Sequence, residues 1–132
     1  MNSMKKKAFK LTKDEMELLG QNFEILSFER SCKLVYEHHI PTTGIALVEG
    51  EISIFRRSRE LEKIQPGTVL GIHQLFYNVP VKAGCLIKEG SKVILLTRSD
   101  IMNCLNEKSS KLVTILNHIL NIKKPDLAQL KN

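Results

Sequence analysis

"GIHQLFYNVPVKAG", Gly71 to Gly84, is the stretch on which the reading of this chain turns. A glycine opens it, Leu75 and Phe76 sit in an apolar helical turn, Pro80 follows, and Ala83 and Gly84 begin a strand of small residues. A glycine lets backbone come close to a ligand, and a short helix offers free N–H groups to an anion. The outline is a loop built around a negative group, yet the charges expected in such a loop are missing. No Asp or Glu occurs between Glu62 and Glu89, and no Arg between Arg59 and Arg98.

Outward from this stretch the chain reads as short strands punctuated by turns. Upstream, "IALVEGEISIFRR" is a long run of β-formers with Gly50 inside it, which marks a bulge or a close backbone approach. A charged turn "RRSRE", a strand "LEKI" and a Pro66-Gly67 turn lead through "TVLG" into Gly71. Before these come "FEILSFE", "KLVYE" and the turn cluster "IPTTG". "LTKDEMELLG" places Thr12 and Glu15 at capping-box spacing and predicts a helix over 12–19 that stops at Gly20. Downstream, "VKAGCLIKEG" is extended, "EGS" at 89–91 reads as a hairpin turn, and "SKVILLT" is a strand buried on both faces.

The end of the chain is helical. Ser99 is placed to cap "DIMNCLNE", Ser109 or Ser110 to cap "KLVTILNHILNI", and Pro125 to end it. Many short strands with Gly and Pro turns give a mainly β fold, a jelly-roll (double-stranded β-helix) barrel with a short N-terminal helix and C-terminal helices. The expected division is a flexible basic N-terminus over 1–11, one domain over 12–122 and a tail over 123–132. The barrel covers about 23–97 and the C-terminal helices about 99–122.

The succession "VEGEISIF", "IQPGTVLG" and "GIHQLFYNVPVKAG" resembles the cyclic-nucleotide-binding domain family, the sensor domain of catabolite-activator-like regulators. The resemblance covers roughly residues 12–122. It implies a jelly roll holding a phosphate-binding cassette that reads Gly-Glu, apolar turn, Pro-Arg, small residues. In the family the Arg grips the cyclic phosphate and the Glu accepts the ribose hydroxyl proton. Aligned without a gap, Gly71, Leu75, Phe76, Pro80, Ala83 and Gly84 keep the pattern, whereas Ile72 replaces the Glu and Val81 the Arg. The resemblance thus implies a ligand site at Gly71, His73, Gln74, Leu75, Lys82 and Ala83 stripped of its two anchoring charges. Losing both charge-assisted contacts costs about 3–6 kcal/mol, or two to four decades of affinity. Lys82 lies one residue past the Arg position, and along a strand that turns its side chain to the opposite face.

Other chemistries find less support. His38, His39 and Glu49 are of the type a cupin metal site uses, but adjacent histidines on a strand diverge. His118 falls on the solvent side of the last helix, and no nucleophile elbow, P-loop or dinucleotide fingerprint is present. Cys32, Cys85 and Cys104 are odd in number and widely spaced, as buried thiols of a reducing, cytoplasmic compartment are. The net charge of +6 owes much to "MKKKAFK" and "NIKK", read as solvated flanks, and no apolar stretch is long enough to span a membrane. Ten residues after Ile122 cannot hold a helix-turn-helix module, so sequence-specific DNA binding by this chain is not expected.

The last helix carries Leu112, Leu116, Ile119 and Leu120 in one stripe, widened by Val113, Ile115 and Ile122. The expectation is a homodimer or protein contact through that stripe. The functional expectation is a non-enzymatic regulatory or sensor domain without a cofactor. It would bind a cyclic nucleotide or related ligand weakly and signal through its terminal helices. The alternatives are a ligand-free dimerisation or docking module and, behind it, a cupin-like metal enzyme.

Overall fold

A computed structural model describes residues 9–107 and 111–120. Nine strands and four helices alternate in the order the turn signals dictate. They are β1 (Phe9–Lys10), α1 (Lys13–Asn22), β2 (Ile25–Ser27), β3 (Cys32–Val35), β4 (Thr43–Glu49), β5 (Ile52–Arg56) and β6 (Arg59–Ile64). The chain continues through β7 (Thr68–Leu70), α2 (Ile72–Tyr77), β8 (Gly84–Ile87), β9 (Lys92–Thr97), α3 (Arg98–Asn106) and α4 (Lys111–Leu120).

The strands form two antiparallel sheets, one ordered β1-β7-β4-β9-β2 and the other β3-β8-β5-β6. The expected barrel is therefore an open jelly-roll sandwich. Its edges are strands of two, three, four and six residues that do not meet across the seams. The helices lie on the outer face of the five-stranded sheet, giving three layers.

Strand alternation fills two separate cores. Ile45, Leu47 and Val93 face the other sheet, where they meet Ile52, Ile54, Cys85 and Ile87. Their neighbours Ala46, Ile94 and Leu96 face the helices and meet Leu19, Leu75, Ile101 and Leu116. β4 and β9 are thus buried on both faces, which is why "SKVILLT" has no polar side.

Several boundaries differ from the sequence reading. Phe9 and Lys10, expected in a flexible arm, pair with β7, and Leu11 is buried. Thr12 does close a capping box with Glu15, accepting from the Glu15 N–H at 3.1 Å while Glu15 Oε1 accepts from Thr12 at 2.8 Å. The helix nevertheless runs through Gly20 to Asn22, because the chain turns extended only at Phe23. α3 is capped by Thr97 rather than Ser99, in a box with Asp100. The turn at Glu89-Gly90 carries the chain from one sheet to the other and closes no hairpin. Gly50 likewise marks a crossing between sheets. With φ at +99°, it lies against Ser91, whose hydroxyl accepts from Glu51 N at 3.0 Å and donates to Glu51 O at 3.1 Å. The caps at Ser109 and Ser110, and the stop at Pro125, fall outside the described residues.

Candidate functional site

The cassette hangs between β7 and β8. Gly71 takes a left-handed conformation at φ +78°, where its missing Cβ lets the chain leave β7 and enter α2 beside the Thr43 carbonyl. α2 lasts six residues. Asn78, left-handed at φ +61°, ends it by donating its N–H to the Gln74 carbonyl, and the Val79 N–H does the same at 2.9 Å. Two backbone bonds then fix the return strand. His38 N–H donates to the Val81 carbonyl at 2.8 Å, and Val81 N–H donates to the His39 carbonyl at 2.9 Å.

This backbone decides where each side chain goes. Val81, which the resemblance sets in the place of an Arg, is 8% exposed and packs into the core between the sheets, as does Ala83. Lys82, two residues before β8, is exposed. Ile72, in the place of the Glu, is 1% exposed and packs among the helices. Its side chain lies over Gly44, where an added Cβ would collide with Ile72 Cγ1. Leu75 is buried in the same layer, Gln74 is half-buried, and exposed His73 leans on the Tyr77 ring with centroids 4.6 Å apart. Of the six residues expected to form the ligand site, only Ala83 faces the inside of the sandwich.

One residue absent from the sequence reading ties the cassette to the terminal helices. Arg98, the first residue of α3, donates from Nη1 to the Phe76 carbonyl at 3.2 Å and from Nη2 to Asn78 Oδ1 at 3.4 Å. It caps the carbonyl end of α2. The nearest Arg after this segment thus braces the end of α2. The only sequence hint was its isolation after a run of nearly forty residues without an arginine.

The remaining candidates separate. His38, exposed at φ +69°, contacts its neighbour Glu37 (Nε2–Oε2 3.2 Å), while Glu49 ends the far side of β4 opposite Lys92. Among the described residues no three His, Cys, Asp or Glu side chains gather as a metal group. Burial pushes the Cys85 thiol up to about 12, and Cys104 is raised by burial with help from Glu107 and Asp100. Both thiols are held in their unreactive protonated form. His118 packs edge-on against the Phe9 ring at 5.2 Å. Leu112, Leu116 and Leu120 are buried in the chain's own helical layer and Ile119 packs beside them, so the stripe expected to meet a partner is occupied internally. Among the described residues no helix is long and apolar enough to cross a membrane.

The architecture has close counterparts. The chain superposes on the Thermus thermophilus catabolite activator protein with a TM-score of 0.64 at 18% identity over 84% of its length, and it spans 52% of that protein. A structure from a cyclic-GMP-dependent signalling pathway that regulates bacterial phytopathogenesis gives 0.68 at 19% identity, covering 94% of this chain and 98% of the other. The regulatory subunit of a cAMP-independent protein kinase A from Trypanosoma cruzi, bound to guanosine, gives 0.55 at 16% identity, covering 70% and 34%. No family model matches the sequence, and no curated protein matches it. The fold is that of the cyclic-nucleotide-binding domain.

Proposed function

We propose that the protein is a non-enzymatic regulatory domain whose cassette no longer holds a cyclic phosphate tightly. The observation that carries this reading is the orientation of Val81 and Lys82. The inward side chain is aliphatic and the cation one residue on is outside. An anion entering the sandwich would be desolvated without a partner, which is costly. A ligand lacking the phosphate avoids that cost. The guanosine held by the Trypanosoma cruzi neighbour illustrates the class.

Signalling would pass through the helical layer. Ile72 and Leu75 of α2 share one core with Ile101 of α3 and with Leu112 and Leu116 of α4, and Arg98 bonds α3 to the end of α2. A displaced cassette therefore repacks the terminal helices and changes whatever contact they make with a partner.

Thermal shift and calorimetry with cyclic AMP, cyclic GMP, cyclic dinucleotides and guanosine test the reading. Binding stabilises by mass action, about 2.7 kcal/mol at a hundred times Kd. The expected result is no better than millimolar affinity for either cyclic mononucleotide, with guanosine at least equal to cyclic GMP. Micromolar binding of a cyclic mononucleotide would overturn it. If nothing binds, the apolar interior around Val81 and Ala83 favours the second reading, a ligand-free dimerisation or docking module.

A further inference from the structure

A second surface gathers on the outside of the sandwich, away from the cassette interior. Three segments distant in sequence meet there. The Glu37 carboxylate accepts the Arg57 N–H at 2.9 Å, which joins the loop after β3 to the tip of the β5–β6 hairpin, where Arg56 faces Arg59. The backbone bonds between His38, His39 and Val81 bring Lys82 to the same end. Lys33 completes the set, with Nζ 5.3 Å from the centroid of the Tyr36 ring. Lys33, Arg56, Arg57, Arg59 and Lys82 are all exposed, as are His38 and His39. Of the carboxylates in these segments, Glu37 is engaged by Arg57 and His38, and Glu60 follows Arg59 in sequence. Tyr36 stands beside Lys33, 50% exposed, with the His39 ring 6.1 Å away, and its neighbour Glu37 bonds the hairpin tip.

We infer that this end of the domain binds single-stranded nucleic acid, RNA or DNA, without sequence preference. Cations that track a phosphate backbone around an aromatic face on which a base can stack are what such binding requires. The arginines add planar forks for phosphate oxygens. An acidic peptide would use the cations but leaves the half-exposed Tyr36 ring unemployed, and the patch has no apolar helix to enter a bilayer. The surface uses neither the cassette's inward residues nor its ligand, so it stands or falls independently of the function proposed above.

Fluorescence anisotropy of the full chain with an unstructured RNA of about 20 nucleotides, longer than a typical single-strand site, tests it. If the five cations each meet a phosphate, affinity falls about a hundredfold between about 50 and about 200 mM salt, a logarithmic slope near −3.5. The triple variant Arg56→Gln, Arg59→Gln, Lys82→Gln should lower that slope by about 2. Tyr36→Ala should weaken binding about fivefold to a hundredfold at every salt concentration. Lys13→Gln and Lys92→Gln, on other faces, should change neither. All of these side chains are exposed, and circular dichroism melts check that the variants fold. Salt-insensitive binding, equal losses in the distant variants, or binding to phosphatidylserine vesicles with none to RNA would each overturn the inference.

Discussion

Gly44 and Ile72 show how a single contact fixes the cassette. Ile72 lies in the space a side chain on residue 44 would fill, with Cδ1 3.2 Å and Cα 3.3 Å from the Cβ that alanine would add. Gly44→Ala is expected to lower unfolding free energy by about 1–3 kcal/mol through overpacking. Because the two residues touch, Ile72→Val in the same chain should recover part of the loss, and urea melts of the single and double variants measure the non-additivity. Full additivity would mean that Ile72 does not rest on residue 44. At this scale the sequence was half legible. Alternation along an extended segment sets Val81 and Lys82 on opposite sides, and although both precede β8, Val81 is buried between the sheets and Lys82 is exposed. It cannot show that Ile72 turns toward the helices, because that follows from an absent side chain on a strand nearly thirty residues away. A gap-free match sets Ile72 where the resemblance implies a carboxylate, without saying in which layer that residue lies.

Between elements, the junction of α2 with α3 is the feature to perturb. Arg98 holds the Phe76 carbonyl in the last turn of α2 and the amide oxygen of Asn78, and all three residues are near solvent. Its removal should therefore be mild for stability and specific in place. Arg98→Ala is expected to cost about 0.5–1.5 kcal/mol, the usual net worth of such hydrogen bonds. Hydrogen exchange should rise selectively at the Asn78 and Val79 amides, which close on Gln74, while the Val93 and Ile94 amides of the central strand stay protected. A uniform rise across the sheets would instead mean global destabilisation. Elements were the most legible level, since periodicity places every helix and most strands near their positions, though it misses β1 and does not divide β4 from β5. Their ends were not, because tertiary pairing sets them. Thr97 outcompetes Ser99 as the cap of α3 because β9 stays paired with β4 up to Thr97. Nothing local in "EGEIS" or "EGS" tells a hairpin from a step between sheets. Both steps depend on Gly50 and Ser91 meeting across the sandwich.

The whole molecule is polarised. Acidic Asp14, Glu15 and Glu17 lie on α1 on the helical side, while exposed Arg56, Arg57 and Arg59 gather at the tip of the β5–β6 hairpin. The last helix is the decisive case, because its stripe reads in sequence as too apolar for one-sided packing. In the fold that stripe is consumed. Leu112, Ile115, Leu116 and Leu120 all enter the layer shared by α1, α2, α3 and the five-stranded sheet. A helix that holds its own domain together responds to truncation differently from one that holds two subunits together. Leu116→Ala should lower stability by about 2–5 kcal/mol, the usual cost of a cavity at a fully buried leucine. The loss should be independent of protein concentration, because no subunit dissociates in the step it weakens. Sedimentation of the folded variant should give the same mass as the parent. A denaturation midpoint that rises with protein concentration, or a halved mass with little loss of stability, would instead mean that Leu116 reaches a second copy.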